Sequence, residues 1–246
     1  NRRASNTYYL GAWLMTQLAN LLYHQRLTDA YTCYKLVRAD VLRQLDLDAT
    51  GFELEAEITA KLALFGFAIP EVAITYSPRT VREGKKIRLL DAWRGFRALW
   101  YFRSWKPTGL AVPHGAVWIT VPTFNEAQAM PELVRRLAAL PSPPNVVVVD
   151  DGSPDGTAAV VRSLQSTNPW LHLLERQGKQ GLGSAYRAGF RYAIDRGAEV
   201  VGEMDADLSH APEDLPRLEA VIATGADVAL GSRRVPGGRI TGWGFR

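Results

Sequence analysis

Short apolar runs alternate with amphipathic stretches throughout the second half of the chain. Five runs of mainly aliphatic residues predict strands, and the segments between them carry apolar residues at helical spacing. The predicted strands cover residues 117–121, 146–149, 171–174, 200–204 and 228–231, and the predicted helices cover residues 127–140, 157–166, 183–196 and 213–223. This alternation predicts an α/β fold with a mostly parallel sheet and helices on both of its faces.

The first half has a different rhythm, with three long predicted helices and little predicted strand. The helices are expected over residues 7–25, 52–65 and 89–102. Residues 29–45 read as an irregular, strand-like segment that ends in a short helix, and residues 68–76 read as a strand. Two prolines and two glycines within residues 107–116 predict a linker between the two halves.

Two of the predicted helices carry a row of large apolar residues. The rows are Leu10, Trp13, Leu14, Leu18, Leu21 and Leu22 in the first helix, and Leu90, Trp93, Phe96, Leu99 and Trp100 in the third. A row of this kind is typical of a helix packed on a core. Because Arg2, Arg3 and Arg26 flank the first row, that helix fits equally well in the interface of a membrane.

Composition and charge narrow the class of protein. Apolar residues make up 47% and charged residues 22% of the 246, which is ordinary for a globular chain. The single cysteine, Cys33, excludes an internal disulfide and a cysteine-based zinc site. Residues 1–106 carry 16 Lys and Arg against 10 Asp and Glu, whereas residues 107–246 carry 13 against 15. A basic half can face phosphate, anionic lipid or nucleic acid. Because basic surfaces are common, the charge alone does not identify which of these partners the chain binds.

The sequence shows no membrane span and no targeting segment. No apolar run reaches the roughly 18–20 residues that cross a bilayer, and no signal peptide is recognisable. Asn1 at the start and a glycine-rich stretch just before Arg246 indicate a window cut from a longer reading frame.

Carboxylates follow two of the predicted strands at the point where each strand ends. The pairs are Asp150 with Asp151, and Asp205 with Asp207. In an open parallel sheet, the carboxyl ends of the strands border the ligand crevice. Two carboxylates one residue apart suit a divalent metal, and a metal suits a diphosphate. Helix capping is the alternative for these carboxylates, as it is for Ser153 and Asp155.

Three further loops at strand ends carry candidate chemistry. They are residues 122–126 (Pro-Thr-Phe-Asn-Glu), residues 176–183 (glycine-rich, with two cations) and residues 231–238, which include Arg233. Phe124 offers a flat face to a base and Glu126 an acceptor, although a helix start with a buried Phe fits as well. The glycine-rich loop either touches phosphates through its backbone amides or is a plain tight loop. Arg233 suits bidentate contact with phosphate oxygens, or it is a solvated loop arginine.

These motifs together resemble one family. Residues 117–246 resemble the nucleotide-binding half of family 2 glycosyltransferases, most closely the dolichyl-phosphate (polyprenyl-phosphate) mannosyltransferases. The matching motifs, in order, are residues 122–126, residues 150–157, Gly181-Leu182-Gly183, residues 204–210 and Gly231-Ser232-Arg233. Phe124 stands where the family usually has Tyr, so the ring is kept and the hydroxyl is lost.

The resemblance implies a fold, an activity and a set of site residues. It implies a GT-A fold and a metal-dependent, inverting transfer of a hexose, with mannose from GDP-mannose as the expected donor, to a polyprenyl or dolichyl phosphate. Asp205 and Asp207 would hold Mg²⁺ or Mn²⁺, and Asp207 and Arg233 would serve catalysis. The nucleotide sugar would contact Pro122, Phe124, Glu126, Val149, Asp151, Ala206 and Leu208, with Arg233, Arg79, Lys85 and Lys86 near phosphates.

The first half resembles the C-terminal, acceptor-side portion of the same family. The motifs are residues 27–35 (Leu-Thr-Asp-Ala-Tyr-Thr-Cys-Tyr-Lys), residues 51–57, and residues 74–79 with residues 83–87 (Glu-Gly-Lys-Lys-Ile), which resemble the basic loop of the family. The order is therefore inverted: residues 1–106 form the tail of one copy, residues 107–116 a linker, and residues 117–246 the head of another. A window from a tandem fusion and a circular permutation both explain this order. Asp29 falls at an acceptor-side position without a derived role.

The expected partners are a nucleotide sugar, a polyprenyl or dolichyl phosphate and a membrane surface, without nucleic acid. The expected location is peripheral, at the cytoplasmic face of a membrane. Two alternatives stay open: a glucosyl- or other family 2 transferase that uses a UDP-sugar, and a non-catalytic fragment that binds nucleotide sugar. An NAD-type oxidoreductase is disfavoured because Gly181-x-Gly183 lacks the third glycine of the dinucleotide fingerprint.

Overall fold

A computed structural model of the chain describes residues 2–77, 89–105 and 116–240, with the side chains of residues 10–77, 93–105 and 116–240. The helices are α1 (Arg2–Tyr23), α2 (Ala39–Leu45), α3 (Leu54–Phe65), α4 (Leu89–Tyr101), α5 (Met130–Ala138), α6 (Thr157–Gln165), α7 (Leu182–Ile194) and α8 (Leu215–Ala223). The strands are β1 (Lys35–Arg38), β2 (Glu71–Ala73), β3 (Thr75–Tyr76), β4 (Val117–Thr123), β5 (Asn145–Asp150), β6 (Leu171–Glu175), β7 (Val200–Glu203), β8 (Val228–Ser232) and β9 (Arg239–Ile240).

Seven strands form one sheet in the order β2-β8-β1-β7-β4-β5-β6. Every neighbouring pair is parallel except those made by β1, which runs antiparallel to both β7 and β8. The predicted α/β class with a mostly parallel sheet is therefore confirmed. The reversed strand and the small β3–β9 pair were not predicted, and the single strand expected over residues 68–76 is divided into β2 and β3.

Strand β1 joins the two halves of the chain into one sheet. Leu36 faces Gly202 of β7 on one side and Ala229 of β8 on the other. All four residues of β1 are buried. Since β1 comes from the first half and both of its neighbours come from the second, the two halves share one sheet and the cores on its two faces.

Helices cover both faces of the sheet, as predicted. On one face, residues of α5, α6 and α8, such as Leu133, Val161 and Leu218, pack with Leu36 of β1. On the other face, residues of α2, α3 and α7 pack with Val37, the next residue of the same strand. Alternate residues of β1 therefore serve opposite cores, as the two-residue period of a strand requires.

Helices α1 and α4 form an outer layer on α3, away from the sheet. Met15 and Tyr23 of α1 are buried with Leu99 of α4, and the Tyr23 hydroxyl donates to the Leu99 carbonyl. The two helices approach closely at Gly95, where an added Cβ would lie 3.1 Å from the Met15 methyl carbon.

The outer faces of α1 and α4 are apolar and exposed. The exposed large hydrophobic side chains of the described residues are Leu10, Trp13, Leu14, Leu21, Trp93, Phe96, Trp100 and Tyr101. The apolar row of α4 is therefore divided between core and surface: Leu99 is buried, whereas Trp93 and Trp100 point away from the core. None of the helices in the described part of the chain combines the length and apolarity that crossing a membrane requires.

Candidate functional site

The candidate site lies where the parallel strands end. Because β4, β5, β7 and β8 run the same way, their carboxyl ends share one edge of the sheet, and the amino end of the reversed strand β1 reaches the same edge. Neighbouring strands lie about 4.8 Å apart, so β5 and β8 are each about 10 Å from β7. The sheet therefore gathers the strand-end motifs of both halves along one border.

Asp205 and Asp207 follow β7 and are both partly exposed. The Tyr186 hydroxyl donates to Asp205 Oδ1 at 3.2 Å, and the Ser209 backbone N–H donates to Asp207 Oδ1 at 3.0 Å. Leu208 has a φ of 61°, a left-handed conformation that costs a residue with a side chain roughly 1–2 kcal/mol. Strained backbone of this kind concentrates at functional sites.

The two aspartates fit a divalent cation that is shared with a diphosphate. Both present hard oxygen donors at the border of the crevice. Within residues 2–77, 89–105 and 116–240, no group of three or more His, Cys, Asp or Glu side chains is arranged to hold a metal ion. Mg²⁺ usually binds one or two carboxylates and completes its shell with substrate phosphates and water. The donor set therefore matches a substrate-bridged ion rather than a caged one.

Arg233, at the end of β8, is clamped by Asp29 from the first half of the chain. Arg233 Nε and Nη2 donate to the two Asp29 oxygens at 2.5 and 2.6 Å. Burial raises the pKa of Asp29, but the charge and hydrogen bonds of Arg233 outweigh it and hold that pKa below its usual value. Burial in turn lowers the pKa of Arg233, and Asp29 more than compensates. Both groups are therefore charged at neutral pH.

Neighbouring contacts fix the position of this pair. Glu71 of β2 accepts the backbone N–H groups of Thr28 and Asp29, at 2.9 and 3.0 Å. The hydroxyls of Thr28 and Ser232 are 2.6 Å apart, and Arg234 donates to the Thr28 carbonyl at 3.2 Å. Asp29, for which the sequence indicated no role, and its neighbour Thr28 therefore hold the loop after β8 in place.

Tyr76 and His210 connect the arginine to the aspartates. The Arg233 guanidinium lies 4.7 Å from the centre of the Tyr76 ring. The Tyr76 and His210 rings are 5.2 Å apart, and His210 Nδ1 is 3.8 Å from Asp205 Oδ2. Burial lowers the pKa of His210 to about 4, so the imidazole is neutral at neutral pH. Asp205 and Arg233 therefore border one cluster.

The donor side is the part of the site near β4 and β5, where the nucleotide sugar is expected to bind. Several of the predicted residues there have contacts with other side chains of the chain. Asp151 is buried, accepts Arg176 Nε at 2.6 Å, and faces the Gln180 backbone N–H at 3.3 Å. The Lys179 ammonium lies 4.8 Å from the centre of the Phe124 ring, over the face expected to meet a base. Arg176 and Lys179 are the two cations noted in the glycine-rich loop, so that loop does reach the donor side.

The remaining donor-side residues differ in what they can offer a ligand. The Val149 side chain is fully buried between sheet and α7, and Ala206 is 3% exposed. These two can present a ligand with backbone atoms alone. Glu126 is buried, Pro122 and Leu208 are partly exposed, and Asn125 beside Glu126 has a φ of 62°.

Asp150, Ser153 and Asp155 perform structural work. Asp150 accepts the Ser153 backbone N–H at 3.0 Å and the Thr123 hydroxyl at 2.9 Å. Asp155 accepts the backbone N–H groups of Thr157 and Ala127, both at 3.0 Å. Asp155 therefore meets the first N–H group of α6, close to the capping alternative, whereas Asp150 holds the loop before that helix. Asp151 is the one of its pair that reaches a loop cation.

The glycine-rich loop packs tightly on the first half of the chain. An added Cβ at Gly181 would lie 2.3 Å from the Thr50 carbonyl oxygen, and one at Gly183 would lie 2.8 Å from that of Gly51. The Ser184 backbone N–H donates to the Thr50 carbonyl at 3.2 Å. The glycines are therefore required for backbone packing, which favours the tight-loop interpretation at these positions.

A buried charge cluster lies beneath Asp205 and was missed by the sequence reasoning. Lys35, at the start of β1, contacts Glu55 and lies 3.1 Å from Glu203 Oε1. Burial, together with the nearby Glu55 charge, raises the pKa of Glu203 to about 8. Lys35 and Glu55 stood inside the family-like motifs, but their pairing depends on β1 lying beside β7. Arg79, Lys85 and Lys86, predicted to contact phosphates, lie outside the described residues.

Comparison with known proteins identifies the family of the second half of the chain. The sequence profile of Glycosyl transferase family 2 matches residues 118–246, just over half of the chain. The chain therefore belongs to this family, and its α/β architecture is the GT-A type that the resemblance implied. The profile does not reach the first half, so the acceptor-side resemblance, the inverted order and the domain bounds stay predictions.

Individual relatives cover a similar share of the chain. Polyprenol monophosphomannose synthase from Mycolicibacterium smegmatis is 46% identical over 129 residues, which are 52% of this chain and 49% of the relative. Undecaprenyl-phosphate mannosyltransferase from Micrococcus luteus is 48% identical over 123 residues, 50% of each chain. The chain thus spans about half the length of these curated relatives.

Among the solved structures that resemble part of the chain is the mannosyltransferase PcManGT from Pyrobaculum calidifontis in complex with GDP-Man and Mn²⁺. It is 34% identical, with a TM-score of 0.35, over 48% of this chain and 34% of that one. This score is too low to support a comparison of folds or ligands.

Proposed function

We propose that the chain transfers a hexose from a nucleotide sugar to a polyprenyl phosphate, with mannose from GDP-mannose as the donor and inversion at the sugar. One observation carries the proposal: Asp205 and Asp207 lie at the border of the sheet beside a cluster that ends in the Asp29–Arg233 pair. Family membership supports sugar transfer. The names of the two relatives support mannose as the sugar and a polyprenyl phosphate as the acceptor.

The chemistry needs alignment and charge neutralisation more than proton transfer. An acceptor phosphate oxygen is already anionic at neutral pH, so a dedicated general base is unnecessary. This oxygen forms a bond to the anomeric carbon while the bond from that carbon to the diphosphate breaks, and a single displacement of this kind inverts the configuration. Positioned groups that stabilise the developing charge supply most of the rate in such reactions.

Asp205 and Asp207 would hold Mg²⁺ or Mn²⁺ against the donor diphosphate. When bound, this ion neutralises negative charge on the departing nucleotide. The donor nucleoside would lie toward β4 and β5, against Phe124, Glu126 and Pro122. There the Asp151–Arg176 pair and Lys179 supply polar contacts, and Val149, Ala206 and Leu208 supply backbone groups.

The acceptor would enter beside α1. A cavity of about 600 Å³ is lined by polar and charged residues that include Gln17, Arg26, Arg233 and Arg234, and by Trp13. Arginine binds phosphate oxygens through several N–H donors at once. Arg79, Lys85 and Lys86 are proposed to add positive charge over the same phosphates. Since Trp13 is also part of the exposed apolar face of α1, the cavity opens toward a surface that suits a lipid chain.

The exposed faces of α1 and α4 support a position at a membrane surface. Aromatic side chains are enriched where a protein meets the headgroup region of a bilayer. Arg94, Arg97 and Arg103 of the α4 region are exposed beside these aromatic residues, and basic residues near anionic lipid contribute about 1 kcal/mol each. We propose peripheral attachment through these two helices.

The test measures binding first and transfer second. With Mn²⁺ present, GDP-mannose should raise the melting temperature of the purified chain more than UDP-glucose does. A short polyprenyl phosphate should then receive labelled mannose. Asp207→Asn should abolish both responses, whereas the exposed Asp195→Asn should leave them unchanged. A chain that no nucleotide sugar stabilises would contradict the proposal.

Two other outcomes correspond to the remaining alternatives. Greater stabilisation by UDP-glucose would identify a transferase that uses a UDP-sugar. Stabilisation by GDP-mannose without any transfer, in the presence of vesicles and acceptor, would identify a non-catalytic nucleotide-sugar-binding fragment.

A further inference from the structure

His210 is a buried polar side chain without a hydrogen-bond partner. Its ring is fully buried, and neither nitrogen makes a hydrogen bond of good geometry within the part of the chain that the structure describes, although the Thr32 backbone lies near enough to act on the ring. Leaving a buried polar group unsatisfied costs roughly 1–3 kcal/mol. An orphan of this kind in a native fold calls for a functional explanation.

The surroundings of His210 direct its ring toward Asp205. Tyr34 and Tyr76 contact it, with ring centres 5.0 and 5.2 Å away, and thereby hold its plane. The Asp205 carboxylate lies close to the ring, with Nδ1 and Oδ2 3.8 Å apart, and Asp207 is a second carboxylate whose charge acts on it. This distance exceeds a hydrogen bond of about 2.9 Å by less than an ångström.

Asp205 is already held on its other side. Its Oδ1 accepts the Tyr186 hydroxyl at 3.2 Å, and Tyr186 is itself fully buried. A carboxylate held at both oxygens keeps one orientation, and each oxygen retains a lone pair for a cation. Hydrogen bonds of this kind around metal ligands tune affinity by about 10–100-fold.

We propose that His210 is a positioning residue, which donates its Nδ1–H to Asp205 Oδ2 and, with Tyr186 on the opposite oxygen, orients this carboxylate toward a cation bound with the donor diphosphate. The inference rests on the proposed function. It adds that the last residue of the Asp-Ala-Asp-Leu-Ser-His run acts through Asp205 and not on the substrate.

Three substitutions at His210 separate this role from simple packing. In His210→Asn the amide nitrogen falls near the position of Nδ1, so donation to Asp205 is retained. In His210→Gln the amide falls nearer Nε2, and His210→Leu has no donor. Tyr186→Phe removes the hydrogen bond on the other oxygen while it keeps the ring.

The readout is binding of Mn²⁺, measured by electron paramagnetic resonance of the free ion during titration into the full chain with GDP. His210→Leu, His210→Gln and Tyr186→Phe should weaken Mn²⁺ binding about tenfold or more. His210→Asn should stay within about threefold of the wild type by the same reasoning. Melting temperatures without metal show whether each variant is folded.

The outcomes are distinguishable. If the wild type itself binds no Mn²⁺ with GDP, the proposed function fails. If the wild type binds and His210→Leu binds equally well, only the positioning role fails. If His210→Leu does not fold, the comparison of His210→Asn with His210→Gln decides, and equal affinities for Mn²⁺ would overturn the inference.

Discussion

Asp29 and Arg233 form a two-point ion pair between the two halves of the chain. The carboxylate is fully buried and the arginine side chain is 10% exposed. The two residues are 204 positions apart in the chain, so the sequence alone does not reveal that they pair. Together they fix the loop after β8 at the border of the sheet, so Arg233 reaches its place only when the first half is docked.

Removal of Asp29 or Arg233 alone should therefore lower the free energy of unfolding much more than removal of both residues does. Asp29→Ala leaves a buried arginine without its counter-charge, and we expect a loss of about 3–5 kcal/mol in the free energy of unfolding. Urea denaturation of Asp29→Ala, Arg233→Ala and the double variant measures the coupling. The exposed Arg162–Glu175 pair is the control, for which Glu175→Ala should cost no more than about 1 kcal/mol. Additive losses at Asp29 and Arg233 would contradict the pairing.

The same pair predicts a pH dependence with a defined direction. The pKa of Asp29 is lowered in the folded chain, so its contribution to stability is present above the ordinary Asp pKa and is lost as the pH falls toward the folded value. The stability difference between wild type and Asp29→Asn should thus be constant from about pH 6 to 8 and shrink below about pH 4. A difference that disappears near neutral pH would rule out a charged Asp29.

The contact between the glycine-rich loop and Thr50 can be tested by adding one methyl group. Gly181 and Gly197 have similar φ values, 96° and 86°, but only Gly181 has a neighbour within 4 Å of an added Cβ. Gly197→Ala should cost about 1–2 kcal/mol for its backbone conformation alone. Gly181→Ala should cost about 1–3 kcal/mol more, because of the clash and because its ψ of 150° lies in a backbone region that is nearly restricted to glycine. Equal losses in thermal or urea unfolding would show that the loop is not packed on Thr50.

The exposed tryptophans of α4 should determine lipid binding. Trp93→Ala with Trp100→Ala should weaken sedimentation with phosphatidylglycerol–phosphatidylcholine vesicles tenfold or more, since burial of each ring is worth roughly 1.5–3 kcal/mol. The pair Trp93→Phe with Trp100→Phe keeps an apolar surface and should retain most of the binding. Both side chains are more than half exposed, so the melting temperature should change little. Unaltered vesicle binding by the alanine variant would remove α4 from the membrane contact.

The elements with strong local signals were predictable from sequence. The alternation after residue 116 gave the strands and helices of the second half to within a few residues, because aliphatic runs and amphipathic stretches are local features. Strand β1 was read as strand-like, but its neighbours depend on contacts with distant residues. Residues of β2 and all but the last of β8 were expected to be strand, but their pairing again joins distant residues. Strands β3 and β9 pair over only two residues each, too few for periodicity to predict the pair.

The sequence predicted which residues form the candidate site better than it predicted the contacts between their side chains. The position of Asp205 and Asp207 at a strand end followed from the sequence. The partners Tyr186 and His210 did not, because each stands inside a motif that gives no direction for its side chain. The ion pair of Lys35 with Glu203 was likewise not predictable. Neither was that of Arg176 with Asp151, because it depends on the course of the glycine-rich loop. The outward direction of Trp93 could not be predicted, because a row of apolar residues alone does not distinguish a helix packed on a core from one at an interface.

The place of β1 between β7 and β8 has a consequence for how the chain acquires its structure. During synthesis, residues 35–38 emerge long before the strands on either side of them, so β1 can pair with β7 only after residue 202 is available and with β8 only after residue 230. The centre of the sheet is therefore completed by contacts of very large sequence separation, which slow folding and leave apolar edges open to aggregation meanwhile. A nascent chain that stalls before β8 would accordingly depend on chaperones.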